Sequence, residues 1–230
     1  MVQELDQERY FADVMPVKTN ADHPWREAMV WMLLLGFFFI SGYSITNRWA
    51  ATHQDAVSFH MPWDVQIPFV GWMILPYLSL NLIFPCTFFL FERRHVLRQF
   101  AVRILASQVI CFAVFALMPS VNVRTLPQPD GAIGKLFEQL RAFELPYNMF
   151  PSLHAATLLL VWLAWLPVLR QQRLARWSWH GWCSLILIST VTTWQHDLLD
   201  VAAGLVVGLI AMMVSGVSAG LRQFIQNADS

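Results

Sequence analysis

The sequence FPSLH, residues 150–154, opens a long apolar run, and a second polar stretch, HDLLD at residues 196–200, opens another. In the FPSLH stretch a Pro-Ser pair places Ser152 where a helix N-cap belongs, because a serine hydroxyl can accept a hydrogen bond from a free backbone N–H of the first turn. The N-terminal end of a helix carries partial positive charge and binds anions. The FPSLH stretch therefore predicts a helix start that can hold an anion.

The HDLLD stretch places His196 and Asp200 four residues apart. On a helix the two side chains would share a face, so the carboxylate could orient the imidazole and stabilise its positive charge. With His154 of the FPSLH stretch, this gives two histidines, an orienting acid and a helix N-terminus. This set of groups predicts phosphoryl transfer, provided that the two stretches meet in the fold.

The composition indicates a multi-spanning membrane protein. Of the 230 residues, 57% are hydrophobic and 13% are charged, far from the averages of soluble domains. An apolar run needs about 20 residues to cross the hydrocarbon core of a bilayer. We predict an all-α polytopic membrane bundle with six transmembrane helices at residues 28–46, 67–91, 100–118, 152–169, 181–195 and 196–221.

The remaining global features limit the other function classes. A formal net charge of +0 gives no basis for nucleic-acid binding. The three cysteines, Cys86, Cys111 and Cys183, all lie in apolar runs and are interpreted as packing residues. The predicted domain division is a cytoplasmic N-terminal segment (1–27), the six-helix domain (28–221) and a cytoplasmic C-terminal tail (222–230).

The basic residues predict the orientation in the membrane, because cytoplasmic loops are enriched in Lys and Arg. Ten fall on one side of the six-span topology and four on the other, with Arg103 inside the third span left out. The richer side is predicted to be cytoplasmic, which places both the FPSLH and the HDLLD stretches on the outer side. The ten are Arg9, Lys18, Arg26, Arg93, Arg94, Arg98, Arg170, Arg173, Arg176 and Arg222, and the four are Arg48, Arg124, Lys135 and Arg141.

Two further patterns concern helix packing. The long outer loop, residues 119–151, carries apolar residues at helical spacing, which predicts an amphipathic helix lying in the membrane interface. Such a helix could cover the bundle or form a gate for lipids. Gly204 and Gly208 in the sixth span predict close helix packing. The apolar residues of the amphipathic pattern are Ile133, Leu136, Phe137, Leu140 and Phe143.

The two polar stretches resemble motifs of the type 2 phosphatidic acid phosphatase superfamily. Residues 151–154 (PSLH) resemble its second motif, P-S-x-H. His196 and Asp200 resemble the end of its third motif, S-R-x-x-x-x-x-H-x-x-x-D. The resemblance spans roughly residues 119–208 and implies a six-helix membrane bundle, the usual form of the family.

The chain departs from the family pattern at two places. The Ser-Arg pair of the third motif is Ser189-Thr190 here. Of the first motif, K-x-x-x-x-x-x-R-P, only Arg124 stands where the arginine would be. At both places the chain resembles the branch of the superfamily that includes inositol-phosphorylceramide synthases and many bacterial relatives. Lys135 or Arg141 could replace the missing basic residues.

Carried over residue by residue, the resemblance implies a covalent mechanism. His196 would attack phosphorus, Asp200 would hold its other ring nitrogen, and His154 would protonate the leaving oxygen as general acid. Arg124 and Ser152 would bind the phosphate. The resemblance implies no cofactor and no metal ion, and we find no carboxylate cluster on the outer side that resembles a magnesium site.

The leading hypothesis is a lipid phosphatase in a bacterial inner membrane, acting at the outer leaflet on a lipid phosphomonoester or pyrophosphate. An alternative is a phosphotransferase that passes the same phosphoryl group to another hydroxyl. A proton-coupled transporter is disfavoured, because both histidines lie near one membrane face whereas transporter sites concentrate at the midplane. The expected partners are membrane lipids; the lipid, the acceptor and the oligomeric state are left open.

Overall fold

The computed structural model describes the backbone of residues 24–228 and the side chains of residues 24–214. Its described residues form seven α-helices, joined by three short 3-10 helices and two isolated β-bridges, which confirms the all-α prediction. Residues 1–23 of the predicted N-terminal segment and residues 229–230 of the predicted tail lie outside the described residues. The helices are α1 (Trp25–Ala51), α2 (Ile74–Thr87), α3 (Arg94–Leu117), α4 (Gly131–Phe143), α5 (Leu153–Trp165), α6 (Arg173–Thr192) and α7 (Leu198–Ala228).

Three helical segments in the described residues are long and apolar enough to cross a membrane. They are α1, α3 and the segment Gly71–Leu90, in which 3-10 turns flank α2. Two shorter apolar helices, Leu153–Trp165 and Leu198–Val214, accompany them. These helices support a membrane protein, while the number of six spans stays a prediction.

Two helices begin earlier than the membrane spans that were predicted from the apolar runs. Helix α3 starts at Arg94 rather than at residue 100, and α6 starts at Arg173 rather than at residue 181. The polar first turns of both helices are helix-compatible, although they are too polar to be read as membrane span. Hydropathy therefore located the apolar part of each helix and missed its polar end.

Helix α5 lies at the centre of the bundle and contacts α2, α3, α6 and α7. Leu158 and Val161 of α5 are fully buried in the main core. Helix α7 approaches α5 through its glycines, as predicted: a Cβ added to Gly204 would lie 2.2 Å from the carbonyl oxygen of Ser152, and one added to Gly208 would lie 3.1 Å from that of Ala156. The absence of side chains at these two positions lets the backbones meet.

The same close approach joins the FPSLH and HDLLD stretches. The backbone N–H of Ser152 donates to the carbonyl oxygen of Asp200 at 2.9 Å. The Ser152 hydroxyl accepts from the N–H of Ala155 at 3.2 Å, which confirms the predicted N-cap of α5. The start of α5 is therefore hydrogen-bonded directly to the first turn of α7.

The segment between α4 and α5 is fixed by side chains from elsewhere in the chain. The Ser120 hydroxyl accepts from the N–H groups of Met149 (2.9 Å) and Phe150 (3.0 Å). Asn47, near the end of α1, accepts from the N–H of Leu145 at 3.0 Å and donates to its carbonyl at 3.1 Å. These bonds hold the carbonyl of Met149 at the edge of the site described below.

Helix α4 contains the five apolar residues of the amphipathic pattern in the loop of residues 119–151. Phe137 and Leu140 are 1% and 8% exposed and pack with Ile74 and Tyr77 of α2. Phe143, at the end of the same helix, is 50% exposed. The helix covers one end of α2, and its position in the membrane interface stays a prediction.

Candidate active site

Two neighbouring cavities converge on His196. The first, which we call the bundle cavity, measures about 80 Å³ and lies among α1, α2, α3 and α5. The second, the loop cavity, measures about 310 Å³ and lies beneath residues 122–126 and 140–149. His154 and His196 both line the bundle cavity, so the fold brings the two predicted catalytic histidines together. The side chains that line both cavities are Tyr43, Tyr77, Glu144, Asn148 and His196.

His196 lies in the turn before α7. The prediction that His196 and Asp200 share one face of a helix is therefore wrong. Helix α7 begins at Leu198, because the Asp200 carboxylate accepts a hydrogen bond from the N–H of Asp197 at 2.9 Å. This bond is one arm of a capping box, which starts the helix after Asp197. His196 Nδ1 lies 3.8 Å from Asp200 Oδ2, too far for a hydrogen bond but close enough for charge stabilisation.

The group that orients His196 is a backbone carbonyl. His196 Nδ1 lies 3.1 Å from the carbonyl oxygen of Met149. A carbonyl oxygen can only accept, so Nδ1 carries the proton and Nε2 keeps its lone pair in the neutral ring. The hydrogen bond to Met149 therefore fixes His196 in the tautomer that a nucleophile needs. The Met149 carbonyl orients the imidazole ring, a role that the sequence predicts for Asp200.

His154 has an unpaired ring nitrogen inside the protein. Its ring stacks on that of Tyr77, with centroids 4.2 Å apart and the planes 6° apart. Its Nε2 is buried and has no hydrogen-bond partner among the described residues. A buried polar atom left unpaired costs free energy, and such atoms concentrate at functional sites. His154 Nε2 is therefore free for a bound substrate.

The predicted phosphate ligands Arg124 and Ser152 both have structural partners. Arg124 Nε and Nη2 lie 3.0 and 2.8 Å from Asp197 Oδ1, and Nη2 also donates to the carbonyl of Asp64 at 2.8 Å. Its side chain is 7% exposed. Ser152 is fully buried, and its hydroxyl caps α5. The structure thus places both residues beside the site, where they hold the HDLLD stretch and the start of α5.

His60, Asp64 and Asp197 lie together beside the site and form a cluster of possible metal ligands that the sequence pattern did not predict. Their ligand atoms all lie within 4.8 Å of one another. The oxygens of Asp64 accept from the N–H groups of Met61 (2.9 Å) and Leu198 (3.0 Å), and Asp197 accepts from Arg124 and pairs with His60 Nδ1 at 3.0 Å. Each of these oxygens accepts at least one hydrogen bond from the protein, so the cluster joins residues 60–64 to the turn before α7.

Trp194 shows how firmly the turn before His196 is held. Its φ of 57° lies in the left-handed region, which is strained for a large side chain. Its Nε1 donates to the carbonyl of Ile67 at 3.0 Å, and its own carbonyl accepts from Asn122 at 2.8 Å. The Arg124 guanidinium lies over its ring, 5.0 Å from the centroid. These contacts fix the backbone that presents His196.

Glu144 is a site residue that the sequence motifs missed. It directly follows α4 and lines both cavities together with Tyr43 and His196. Burial raises the pKa of Glu144 to about 7. A partly buried carboxyl with a shifted pKa in a cavity wall is a functional candidate. In the sequence it stood only at the end of an amphipathic helix, where a carboxylate is usually a surface residue.

The raised pKa of Glu144 predicts a pH-dependent loss of stability. The unfolded chain ionises this group at its ordinary pKa of 4.5, whereas the folded protein keeps it protonated up to about 7. Folding is therefore progressively disfavoured as pH rises between these two values. We expect Glu144→Gln to melt at the same temperature as wild type near pH 4.5 and at a higher one at pH 8, measured by thermal unfolding in detergent. A difference that shrinks as pH rises would contradict this sign.

A family model described as the PAP2 superfamily matches residues 48–214. The matched region contains the FPSLH and HDLLD stretches, the α2 and α5 residues that line the bundle cavity, and the Arg124–Asp197 ion pair. Comparison with curated proteins and with solved structures gives no match.

Proposed function

Because the chain belongs to the PAP2 superfamily, which generally comprises phosphatases and phosphotransferases, we propose that it is an integral-membrane lipid phosphatase. The substrate would be a phosphomonoester or pyrophosphate of a membrane lipid, and the acceptor would be water. The observation that carries this proposal is the pair of histidines on the wall of one cavity. One presents a lone pair by its tautomer, and the other has a buried, unpaired ring nitrogen.

The proposed chemistry proceeds in two displacements. In the first, His196 Nε2 attacks phosphorus, the bond to the leaving oxygen breaks, and His154, protonated beside the anionic phosphate, gives its proton to that oxygen. In the second, water attacks the phosphohistidine, the P–N bond breaks, and the proton of the water returns to His154. Asp200 stabilises the positive ring of the intermediate through its charge, 3.8 Å from His196 Nδ1.

The lining of the bundle cavity supports a lipid as the substrate. Phe39 of α1 and Leu80 and Phe84 of α2 lie on its walls, together with Leu153. A phosphate placed between the two histidines would leave its hydrocarbon substituent among these apolar side chains. The loop cavity, which also reaches His196, adds two arginines, Arg124 and Arg141. Both cavities mix apolar and polar side chains, so the apolar residues of the bundle cavity support a hydrocarbon substituent, while the histidines support a phosphate.

A phosphotransferase is the second candidate, and the size of the loop cavity favours it. At about 310 Å³ the cavity greatly exceeds the roughly 30 Å³ that one water occupies in the liquid. Asn122, Tyr147 and Gln195 on its wall could bind the hydroxyl groups of an alcohol acceptor. The resemblance to inositol-phosphorylceramide synthases belongs to this second candidate.

The proposed location of the site is the outer leaflet, with the loops before α3 and α6 in the cytoplasm. Single cysteines at Lys135 and Arg173, both exposed, test this in a variant lacking Cys86, Cys111 and Cys183. An impermeant maleimide should label the cysteine at 135 in intact cells and the one at 173 only after permeabilisation. The reverse labelling pattern would place the site on the cytoplasmic face.

Purified protein in detergent tests the activity itself. We expect it to release inorganic phosphate from at least one of phosphatidic acid, a polyprenyl phosphate and a polyprenyl diphosphate. Orthovanadate should inhibit, because it imitates the trigonal-bipyramidal transition state. Activity should survive EDTA, since the two histidines supply the nucleophile and the general acid. A strict requirement for added magnesium would count against the mechanism, and phosphoryl transfer only to an added alcohol would favour the second candidate.

A further inference from the structure

Two arginines line the loop cavity beside His196, and one of them is already neutralised. Arg124 places both Nε and Nη2 on the Asp197 carboxylate, at 3.0 and 2.8 Å. An opposite charge at this distance cancels most of the attraction that the guanidinium could exert on a substrate anion. Arg124 is therefore a positioning residue that fixes the backbone next to His196.

In the part of the chain that the structure describes, the second arginine, Arg141, has no carboxylate partner. It lies in the last turn of α4, its Nη2 donates to the carbonyl of Pro127, and its guanidinium carbon lies 5.7 Å from the centroid of the Phe137 ring. Its Nε is buried without a hydrogen-bond partner, and no carboxylate pairs with it in the described part of the chain. A buried N–H on a cation is costly to leave unpaired, so this nitrogen suits an anionic oxygen.

The base of Arg141 is held rigidly. Its neighbours on α4, Phe137 and Leu140, are almost fully buried against α2. Its stem therefore projects from a fixed helix, and the Pro127 carbonyl restrains one end of the fork. Such restraint lowers the entropy lost when a guanidinium binds an oxyanion.

On these grounds we propose that Arg141 binds the non-bridging oxygens of the phosphoryl group that His196 attacks. The guanidinium would form charge-assisted hydrogen bonds to the oxygens and stabilise the negative charge of the transition state. The loop cavity connects the two groups, because Arg141 and His196 both line it. This proposal rests on the proposed function and adds the cation that binds the substrate phosphate.

The matched control lies on the same helix. Lys135 is exposed, carries the same charge and lines neither described cavity, so Lys135→Ala removes one positive charge without touching the site. We expect Arg141→Ala to raise both KM for a lipid phosphate and the inhibition constant of inorganic phosphate by about tenfold or more. Lys135→Ala should change both by less than about twofold. Arg141→Lys should fall between, because it keeps the charge and loses the fork.

Chemical rescue separates a binding role from a structural one. Millimolar guanidinium should restore part of the phosphate affinity of Arg141→Ala and have no such effect on wild type or on Lys135→Ala. If Arg141→Ala and Lys135→Ala give the same KM and the same phosphate inhibition constant, the proposal is wrong. Should Arg141→Ala fail to fold, Arg141→Lys decides: a phosphate inhibition constant equal to that of wild type would overturn the proposal.

A direct binding measurement keeps this test independent of the proposed activity. Inorganic phosphate or orthovanadate should raise the melting temperature of wild type and of Lys135→Ala, and should raise that of Arg141→Ala much less. If no lipid phosphate is hydrolysed but these shifts are found, the proposed function fails while the anion site at Arg141 stands. Equal shifts in all three proteins would remove Arg141 from the site.

Discussion

The His196→Ala variant is expected to show no turnover of any phosphate substrate, whatever its leaving group. The variant loses the nitrogen that we propose attacks phosphorus, and alanine offers no lone pair in its stead. The backbone around residue 196 should persist, because its N–H donates to the carbonyl of Thr190 and Trp194 is bonded independently. Phosphate release from one lipid phosphate and one aryl phosphate measures the effect, with thermal unfolding as a check on folding.

His95→Ala provides the control, since this histidine is exposed at the start of α3 and lines neither described cavity. It should retain wild-type rates. Substantial activity of His196→Ala on either substrate would mean that the nucleophile is another group, and the roles assigned to the two histidines would have to be exchanged or abandoned.

The His154→Ala variant is expected to lose activity in proportion to how poorly the leaving group departs. A general acid contributes about 10²- to 10⁴-fold when the leaving oxygen is a strongly basic alkoxide, and far less when it is an activated phenolate. Cleavage of a lipid alkyl phosphate should nearly stop, while much more activity on an activated aryl phosphate remains. The ratio of kcat/KM values for the two substrates, compared between variant and wild type, is the measurement.

The stacking of His154 on Tyr77 provides the control for this second variant. Tyr77→Phe keeps the ring that stacks at 4.2 Å and removes only a hydroxyl, so it should not change the leaving-group ratio. If His154→Ala lowers both activities by the same factor, His154 is not the general acid. An equal loss would indicate that the ring holds the cavity open or binds substrate.

The features of the site that depend on residues close together in the sequence could be predicted from the sequence. The Pro-Ser pair predicts the N-cap at Ser152, and the structure confirms it because a cap depends on residues within one turn. The two glycines of α7 likewise predict a close approach, since only a small residue permits backbone contact. Both features depend on short-range sterics and hydrogen bonds.

The partners of the site residues were not predictable, because they come from distant segments. The carbonyl that orients His196 belongs to Met149, and a backbone carbonyl leaves no mark on the sequence. The sequence resemblance predicts Arg124 as a phosphate ligand but not its ion pair with Asp197, 73 residues away. The capping bond between Asp197 and Asp200 could have been foreseen from their spacing, and it explains why His196 lies outside α7.

The most direct test of the central claim is to trap the covalent intermediate. Wild-type protein mixed with a lipid phosphate labelled in the transferred phosphoryl group is quenched by alkali during turnover, digested and mapped. We predict label that is stable to alkali and labile to acid, as a phosphoramidate is, on the peptide containing His196, and no label in His196→Ala. Turnover without covalent label under rapid quenching, or label on the peptide containing His154, would contradict the account.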